Sequence, residues 1–353
     1  MISLLVASAV SFVVAILLTP IAMKQLRNRE IGQFIQEEVE PHHHKRGTPT
    51  MGGVVINLAV VAGFIVAHYR ILDFGRGFVL ETRPFSHEGW LAVFALVGMG
   101  TLGFFDDYVK YARRRNQGLS KWWKFLGQLA VAALFAWGAV AAGVSTKLSL
   151  TRASTGVELG PWLYAALVLL MLTAAANAVN LTDGLDGLVA GSGSLVFGAY
   201  VLIGFWQFRN FDFYGVEGAL DLGVFAAALV GAVLGFLWWN TAPARIFMGD
   251  TGSQALGGGL AALALLTNTH LLLLALGGLY VMVTVSVLVQ VFSYRVFGRR
   301  VLRMAPIHHH FELKGWPEIT VIVRFWIMAG IAVAFGVGIF YADFLIANEG
   351  ILP

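Results

Sequence analysis

Five aspartates carry the chemistry that this chain offers. Asp106 and Asp107 stand in FFDDYVK, Asp183 and Asp186 in NLTDGLDG, and Asp250 in FMGDTGS. Each lies at the edge of a long apolar run, and ionisable groups at membrane depth are costly enough to mark function by default. Converging on one face, they predict a magnesium and phosphate site at a membrane surface, because Mg²⁺ takes one or two carboxylates and completes its shell with water and substrate phosphates.

The spacing of each group limits what it can do. Asp106 and Asp107 are neighbours near the end of a helix, where adjacent side chains diverge by about 100°. One can bind metal while the other takes a proton or holds a lysine. A solvated helix end beside Lys110 and Arg113 is the plainer reading, but a carboxylate pair at a helix C-terminus opposes the macrodipole. The DDxxD pattern of prenyl-diphosphate enzymes fails here because Lys110 occupies its fifth position. Asp183 and Asp186, three apart, would share a face at the opening of a helix, with Gly184 and Gly187 admitting a ligand or a second backbone. Capping explains Asp183 alone; it leaves Asn180, Asp186 and both glycines unexplained. Asp250 in its Gly-rich turn suits a metal ligand. The string DTGS also occurs in aspartic proteases, which need two such acids on strand-linked loops, and this chain has one, ahead of a helix.

Two histidine clusters remain. Consecutive histidines diverge and rarely chelate one ion, so His308, His309 and His310 fit contact with phosphate better than zinc. For His42, His43 and His44 a solvated polar loop serves equally well. The run from Lys45 through Thr50 to Gly53 is a basic, Gly-rich turn that could hold phosphates. It is not a P-loop, since its lysine precedes the glycines and no strand feeds it.

The elements that must position these groups are membrane helices. The chain has 353 residues, 58% hydrophobic and 12% charged, with a mean hydropathy of +0.75; soluble proteins carry about 25% charged residues. The fold expected is all-α and polytopic, a single membrane domain over 1–353, with ten spans near 2–23, 52–69, 91–107, 125–143, 161–178, 187–206, 222–239, 253–267, 271–292 and 321–343. The first run is too long for a signal-peptide core and lacks a cleavage site, so it reads as a retained helix. Ten spans put both termini on one side, and most of the 24 Lys and Arg fall in the loops of the other. Positive residues mark the cytoplasm, so the termini are expected outside and all five aspartates inside. Arg295, Arg299 and Arg303, four apart, would share one helical face, bound to lipid headgroups or guiding an anionic substrate. Trp122–Trp123 and Trp238–Trp239 read as interfacial anchors. With no cysteine there is neither a thiolate nucleophile nor a disulfide framework, and no basic patch suits nucleic acid.

Taken in order, KRGTPTMGG, FFDDYVK, NAVNLTDGLDGL, FMGDTGS and PIHHHFE resemble the phospho-N-acetylmuramoyl-pentapeptide transferases. The likeness runs from about residue 20 to 330. It implies ten helices, a homodimer and an Mg²⁺-dependent enzyme of the bacterial plasma membrane, acting at the cytoplasmic face. Such an enzyme moves phospho-MurNAc-pentapeptide from UDP-MurNAc-pentapeptide to undecaprenyl phosphate, giving lipid I and UMP. Carried over by position, Asp250 would ligate Mg²⁺, and Asp106 and Asp107 would sit by the lipid phosphate, Asp106 as base. Asn180, Asp183 and His309 would line the phosphate region. Lys45, Gly184, Leu185, Asp186, Asn240 and Phe247 would contact the uridine diphosphate, with Thr50, His308 and His310 also on substrate. The segment EPHHHKRG departs from the family's usual stretch, so His42, His43 and His44 receive no role.

Transfer between two anions needs positioning and charge neutralisation above all. The acceptor, largely ionised at neutral pH by analogy with phosphoserine, can attack the β-phosphorus directly; a covalent aspartyl-phosphate is the other route. An intramembrane prenyltransferase would need two motifs of DxxxD character, and here the spacings are DD and DxxD. A transporter would place its binding groups near the bilayer midplane, where these spans hold almost no charge.

Overall fold

The computed structural model describes residues 1–29, 32, 47–73, 77–114 and 117–348. Among them the chain forms thirteen α-helices and two small hairpins. The long helices are α1 (Ile2–Asn28), α2 (Gly53–Val66), α3 (His87–Ala112), α4 (Lys121–Ala141), α5 (Gly160–Thr182), α6 (Leu188–Arg209), α8 (Ala219–Asn240), α9 (Gly249–Leu266), α11 (Gly278–Phe297) and α13 (Glu318–Ala347). The short ones are α7 (Phe211–Tyr214), α10 (Leu272–Leu276) and α12 (Ile307–Glu312). Strands β1 (Tyr69–Asp73) and β2 (Gly77–Thr82) pair antiparallel between α2 and α3, and β3 (Lys147–Leu148) pairs with β4 (Val157–Glu158) before α5.

Eight helices are long and apolar enough to cross a membrane: α1, α3, α4, α5, α6, α8, α11 and α13. At 14 residues α2 is apolar but shorter. Helix α9 is the centre of the bundle, buried at every residue from Thr251 to Leu266, and it packs on α3, α5 and α2. Its Gly257–Gly259 stretch lets neighbours close in: a Cβ at Gly257 would lie 2.5 Å from the Ala175 carbonyl oxygen of α5. Small residues at such contacts are how helices associate where lipid removes the hydrophobic driving force. The outer helices α4, α5, α11 and α13 leave large apolar side chains such as Trp137, Leu170, Leu288 and Ile331 exposed, as lipid-facing surfaces do.

Three sequence expectations change. Asp183 does not open the sixth span; Asn180 and Thr182 still belong to α5, Asp183 is its C-terminal cap, and α6 starts after Gly187, whose φ of 77° makes the turn. The run 271–292 is not one helix but α10 and α11, broken at Gly277. Arg295, Arg299 and Arg303 share no helical face, because Gly298 at φ 64° ends α11 between the first and the second.

The end of the bundle opposite the aspartates is tied by polar groups that carried no sequence motif. Asp221 at the start of α8 accepts from the Ser86 amide at 2.7 Å and pairs with Arg83 and His68, and Phe85 stacks on the His68 ring at 4.0 Å. After α9, Ser149 donates its amide to His270 Nδ1 at 3.2 Å and its hydroxyl to the Asn268 carbonyl at 2.7 Å. Burial pushes the His270 imidazole down to about 4. It is therefore neutral when folded, while the unfolded chain takes up the proton from about pH 6.5 downward. Stability at this residue is complete near neutrality, falls as pH drops below about 6.5 and levels off under about 4, amounting to about 2 kcal/mol by pH 5. Thermal unfolding at pH 7 and pH 5 should accordingly show a smaller acid loss in His270→Gln than in the parent; equal losses would place the acid sensitivity elsewhere.

Candidate active site

Helices α3, α4 and α9 bring five charged side chains together. Asp106 and Asp107 lie one turn before the end of α3, with Lys110 a turn later; Asp250 is in the first turn of α9 and Lys124 in the first turn of α4. One oxygen from each of Asp106, Asp107 and Asp250 lies within 4.8 Å of the others. Lys110 Nζ reaches all three carboxylates, at 2.7, 3.7 and 3.1 Å respectively. Lys124 Nζ lies 3.0 Å from Asp250 and 3.9 Å from Asp106.

The adjacent aspartates diverge in partners, as their spacing predicts, yet serve one cluster. Asp107 turns to α9, where its Oδ2 accepts from the Thr251 amide at 2.9 Å and hydroxyl at 2.7 Å, and its Oδ1 from the Asp250 amide at 3.2 Å. It thereby satisfies free N–H groups of the α9 N-terminus, where negative charge is favoured. Asp106 accepts instead from the Leu119 amide at 3.0 Å. The two helices meet this closely because position 103 is glycine: a Cβ there would stand 2.1 Å from the Asp250 carbonyl oxygen.

Residues 49–53 are fastened to the turn before α9. Phe247 donates its amide to the Pro49 carbonyl at 2.8 Å, and the amides of Gly52 and Gly53 donate to Phe247 and Met248 at 2.9 Å each. Thr50 thus borders the cluster: a Cβ on Gly249 would be 3.0 Å from its hydroxyl and 2.6 Å from Asp107 Oδ2. Gly249 has a φ of 69°, so both conformation and space demand glycine there.

The turn between α5 and α6 faces α12. A Cβ on Gly184 would lie 2.4 Å from His308 Nε2 and 3.2 Å from His309 Nε2. His308 is fully buried, with its ring edge-on to His309 at 4.3 Å. His309 Nδ1 lies 2.7 Å from Glu312, which orients the ring. Burial first, and then the carboxylates of Asp250, Asp107 and Asp186, push the Asp183 carboxyl well above the usual carboxylate range. Asn180 Nδ2 is buried with no hydrogen-bond partner among the described residues. Asp186 Oδ2 accepts from the Ala244 amide at 2.8 Å, and its amide donates to Glu318 at 3.1 Å. Asn240 donates to the Ile246 carbonyl at 2.9 Å, and Leu185 is buried with Leu188 against Ile307.

Among the expected site residues, then, Asp106, Asp107 and Asp250 form one cluster that Thr50 borders. Asp183, close enough to feel Asp250 and Asp107, leads from it to Gly184, His308 and His309. Asp186, Asn240 and Phe247 flank the 240–250 turn. His310 points elsewhere: its Nδ1 accepts from the Arg303 amide at 3.0 Å. Lys45, His42, His43 and His44 lie outside the described residues. Sequence reasoning missed Lys124, whose charge in Lys-Trp-Trp-Lys looked like interfacial anchoring, and it gave Thr251 no part in fixing Asp107. Three carboxylates make a hard oxygen set that suits Mg²⁺, and Lys110 and Lys124 offset two of their three charges. The donors fit the ion.

The profile of glycosyl transferase family 4 matches residues 90–268, and phospho-N-acetylmuramoyl-pentapeptide-transferase signature 1 matches residues 45–56. The chain is 48% identical to the phospho-N-acetylmuramoyl-pentapeptide-transferase of Frankia casuarinae, covering 98% of this chain and 99% of that one. Proteins of the same description from Clavibacter michiganensis and Streptomyces coelicolor are 45% and 46% identical, with coverage of 98% and 96% of this chain and 100% and 98% of theirs.

Proposed function

The chain belongs to the phospho-N-acetylmuramoyl-pentapeptide-transferase family, and on that premise we propose the reaction it carries out and the residues that serve it. It transfers phospho-MurNAc-pentapeptide from UDP-MurNAc-pentapeptide to undecaprenyl phosphate, giving lipid I and UMP, the first membrane step of peptidoglycan synthesis. The observation that carries the assignment of roles is the meeting of Asp106, Asp107 and Asp250 with Lys110 and Lys124.

Asp250 would hold Mg²⁺, with an oxygen of Asp106 and of Asp107 within reach; the bound ion supplies neutralisation of the diphosphate charge. An oxygen of the lipid phosphate attacks the β-phosphorus, and the bond to the UMP oxygen breaks. Asp106 takes any proton still on the attacking phosphate. Asp107 is held by three donors from α9, so its part is to fix Asp250 against α3. Lys110 and Lys124 lower the repulsion between two anionic substrates. Asn180, Asp183 and His309 line the phosphates, with His308 behind His309. Lys45, Gly184, Leu185, Asp186, Asn240 and Phe247 hold the uridine diphosphate, and Thr50 borders it.

The same reading places ten spans in the plasma membrane, adding α2 and α9 to the eight long apolar helices, with α10 leading into α11. Both termini are then outside and the site is cytoplasmic, as the positive residues favour. It also takes 1–353 as one catalytic unit that forms a homodimer. The test is release of UMP by purified protein given both substrates, with Mg²⁺ or with EDTA. Release should require both the lipid and the metal. Release without undecaprenyl phosphate, or undiminished in EDTA, would overturn the mechanism.

A further inference from the structure

The end of α11 and the chain beyond it form a surface that the reaction does not use. Arg295 lies in the last turn of α11, and Arg299, Arg300 and Arg303 follow the Gly298 break. All four are exposed, and among the described residues none of them pairs with a carboxylate. Large apolar side chains stand between them and are as exposed: Phe292 at 62%, Phe297 at 65% and Val301 at 59%. Water on every side would make that arrangement unfavourable. Alternating guanidinium and apolar groups suit the boundary between headgroups and acyl chains, where each finds its own solvent.

The surface is built rather than loose. Gln290 Oε1 accepts from the amides of Val301 and Leu302 at 3.1 and 2.9 Å, and its Nε2 donates to the Leu302 carbonyl at 3.0 Å. Ser293 donates to the Arg299 carbonyl at 2.8 Å, and Ser286 accepts from the Ile307 amide at 3.0 Å. Three side chains of α11 therefore fold the chain back along the helix and deliver it to α12, which carries His308 and His309. The arginines are presented at a fixed place, at the end of a helix whose flank is largely unburied and apolar.

We propose that Arg295, Arg299 and Arg300, with Phe292, Phe297 and Val301, form a docking surface for anionic phospholipid headgroups. Two observations select this occupant. The cations lack partners of opposite charge within the described chain, and the patch continues the apolar flank of α11, which lipid tails would cover. A peptide or nucleotide anion would satisfy the charges but leave the phenylalanines in water. Through the Gln290 and Ser286 contacts, a bound headgroup would also steady α12.

The test needs no turnover, so its failure is distinct from failure of the assigned reaction. Purified protein is offered equal amounts of phosphatidylglycerol and phosphatidylcholine in mixed micelles, and the lipid retained is identified by native mass spectrometry. A basic residue near an anionic surface contributes about 1 kcal/mol, or roughly five-fold. The parent should retain phosphatidylglycerol in excess, and Arg295→Gln/Arg299→Gln/Arg300→Gln should lower that selectivity by at least about ten-fold. Arg303 is left intact because its guanidinium donates to the Leu313 carbonyl at 2.6 Å. The parent's selectivity should also shrink in about 1 M salt, where screening acts within about 3 Å, which keeps the test available if the triple variant does not fold. A folded triple variant with unchanged selectivity, or a selectivity indifferent to salt, would refute the proposal. So would unchanged lipid selectivity combined with a ten-fold weaker affinity for UDP-MurNAc-pentapeptide, which would assign the surface to substrate.

Discussion

Asp250→Asn is expected to remove transfer almost completely, by about 10³-fold or more in kcat/KM, while the protein stays folded. The substitution keeps the shape of the side chain and the Asp250 amide that donates to Asp107 at 3.2 Å. It removes the charge that Lys110 and Lys124 meet at 3.1 and 3.0 Å. Lys110 retains Asp106 at 2.7 Å, so the neighbouring charges stay partly paired. Lys124 retains only the 3.9 Å approach to Asp106, and it is free to move toward solvent. The structural cost is thus small beside the chemical one, since a neutral amide is a poor Mg²⁺ ligand at a site of few carboxylates. The measurement is UMP release beside a melting curve and size-exclusion profile for the same preparation. Parent-like turnover in a folded variant would remove Asp250 as the metal ligand; loss of fold together with activity would mean that its charge is structural.

How far the sequence reached can be judged at particular residues. The acids were legible because charge at the edge of an apolar run is rare and costly, and the structure brings Asp106, Asp107 and Asp250 to one point. Their lysine partners were not equally legible. Lys110 was visible as a helix-spaced neighbour, one turn from Asp106, but Lys124 comes from another helix, and lysines flanking two tryptophans look like any membrane anchor. The Asp183 turn was misplaced because Asn180–Thr182 continue α5, and hydropathy alone cannot say which of two helices owns a polar junction. The arginine face failed for a local reason: Gly298 takes φ 64° and ends the helix, so helical spacing lost its meaning after Arg295. The ties at the other end, Asp221 with Arg83 and His68, join residues far apart in sequence and had no local signal.

Gly103→Ala should be among the most damaging of the smallest changes available. Alanine is the better helix former by about 1 kcal/mol, so propensity alone predicts a gain. Space predicts the reverse, because the new methyl would stand 2.1 Å from the Asp250 carbonyl oxygen, 2.5 Å from its carbon and 2.7 Å from the Thr251 amide nitrogen. These are backbone atoms in the first turn of α9 and have no rotamer by which to yield. Helix α3 must therefore part from α9, and the parting falls between Asp106 and Asp107 on one side and Asp250 on the other. A misplacement of about 1 Å in a reacting constellation costs about 100-fold, so activity should fall at least that far, and the melting temperature should fall with it. Gly198→Ala supplies the contrast within the same protein: the position is helical, in α6, and outside the adjoining backbone of that helix nothing lies within 4 Å of the added carbon. There the propensity gain stands alone, and the variant should be as active as the parent and equally or more stable. Should Gly103→Ala match Gly198→Ala in both measurements, α3 and α9 do not touch at the acid cluster, and the site built on their contact fails with it.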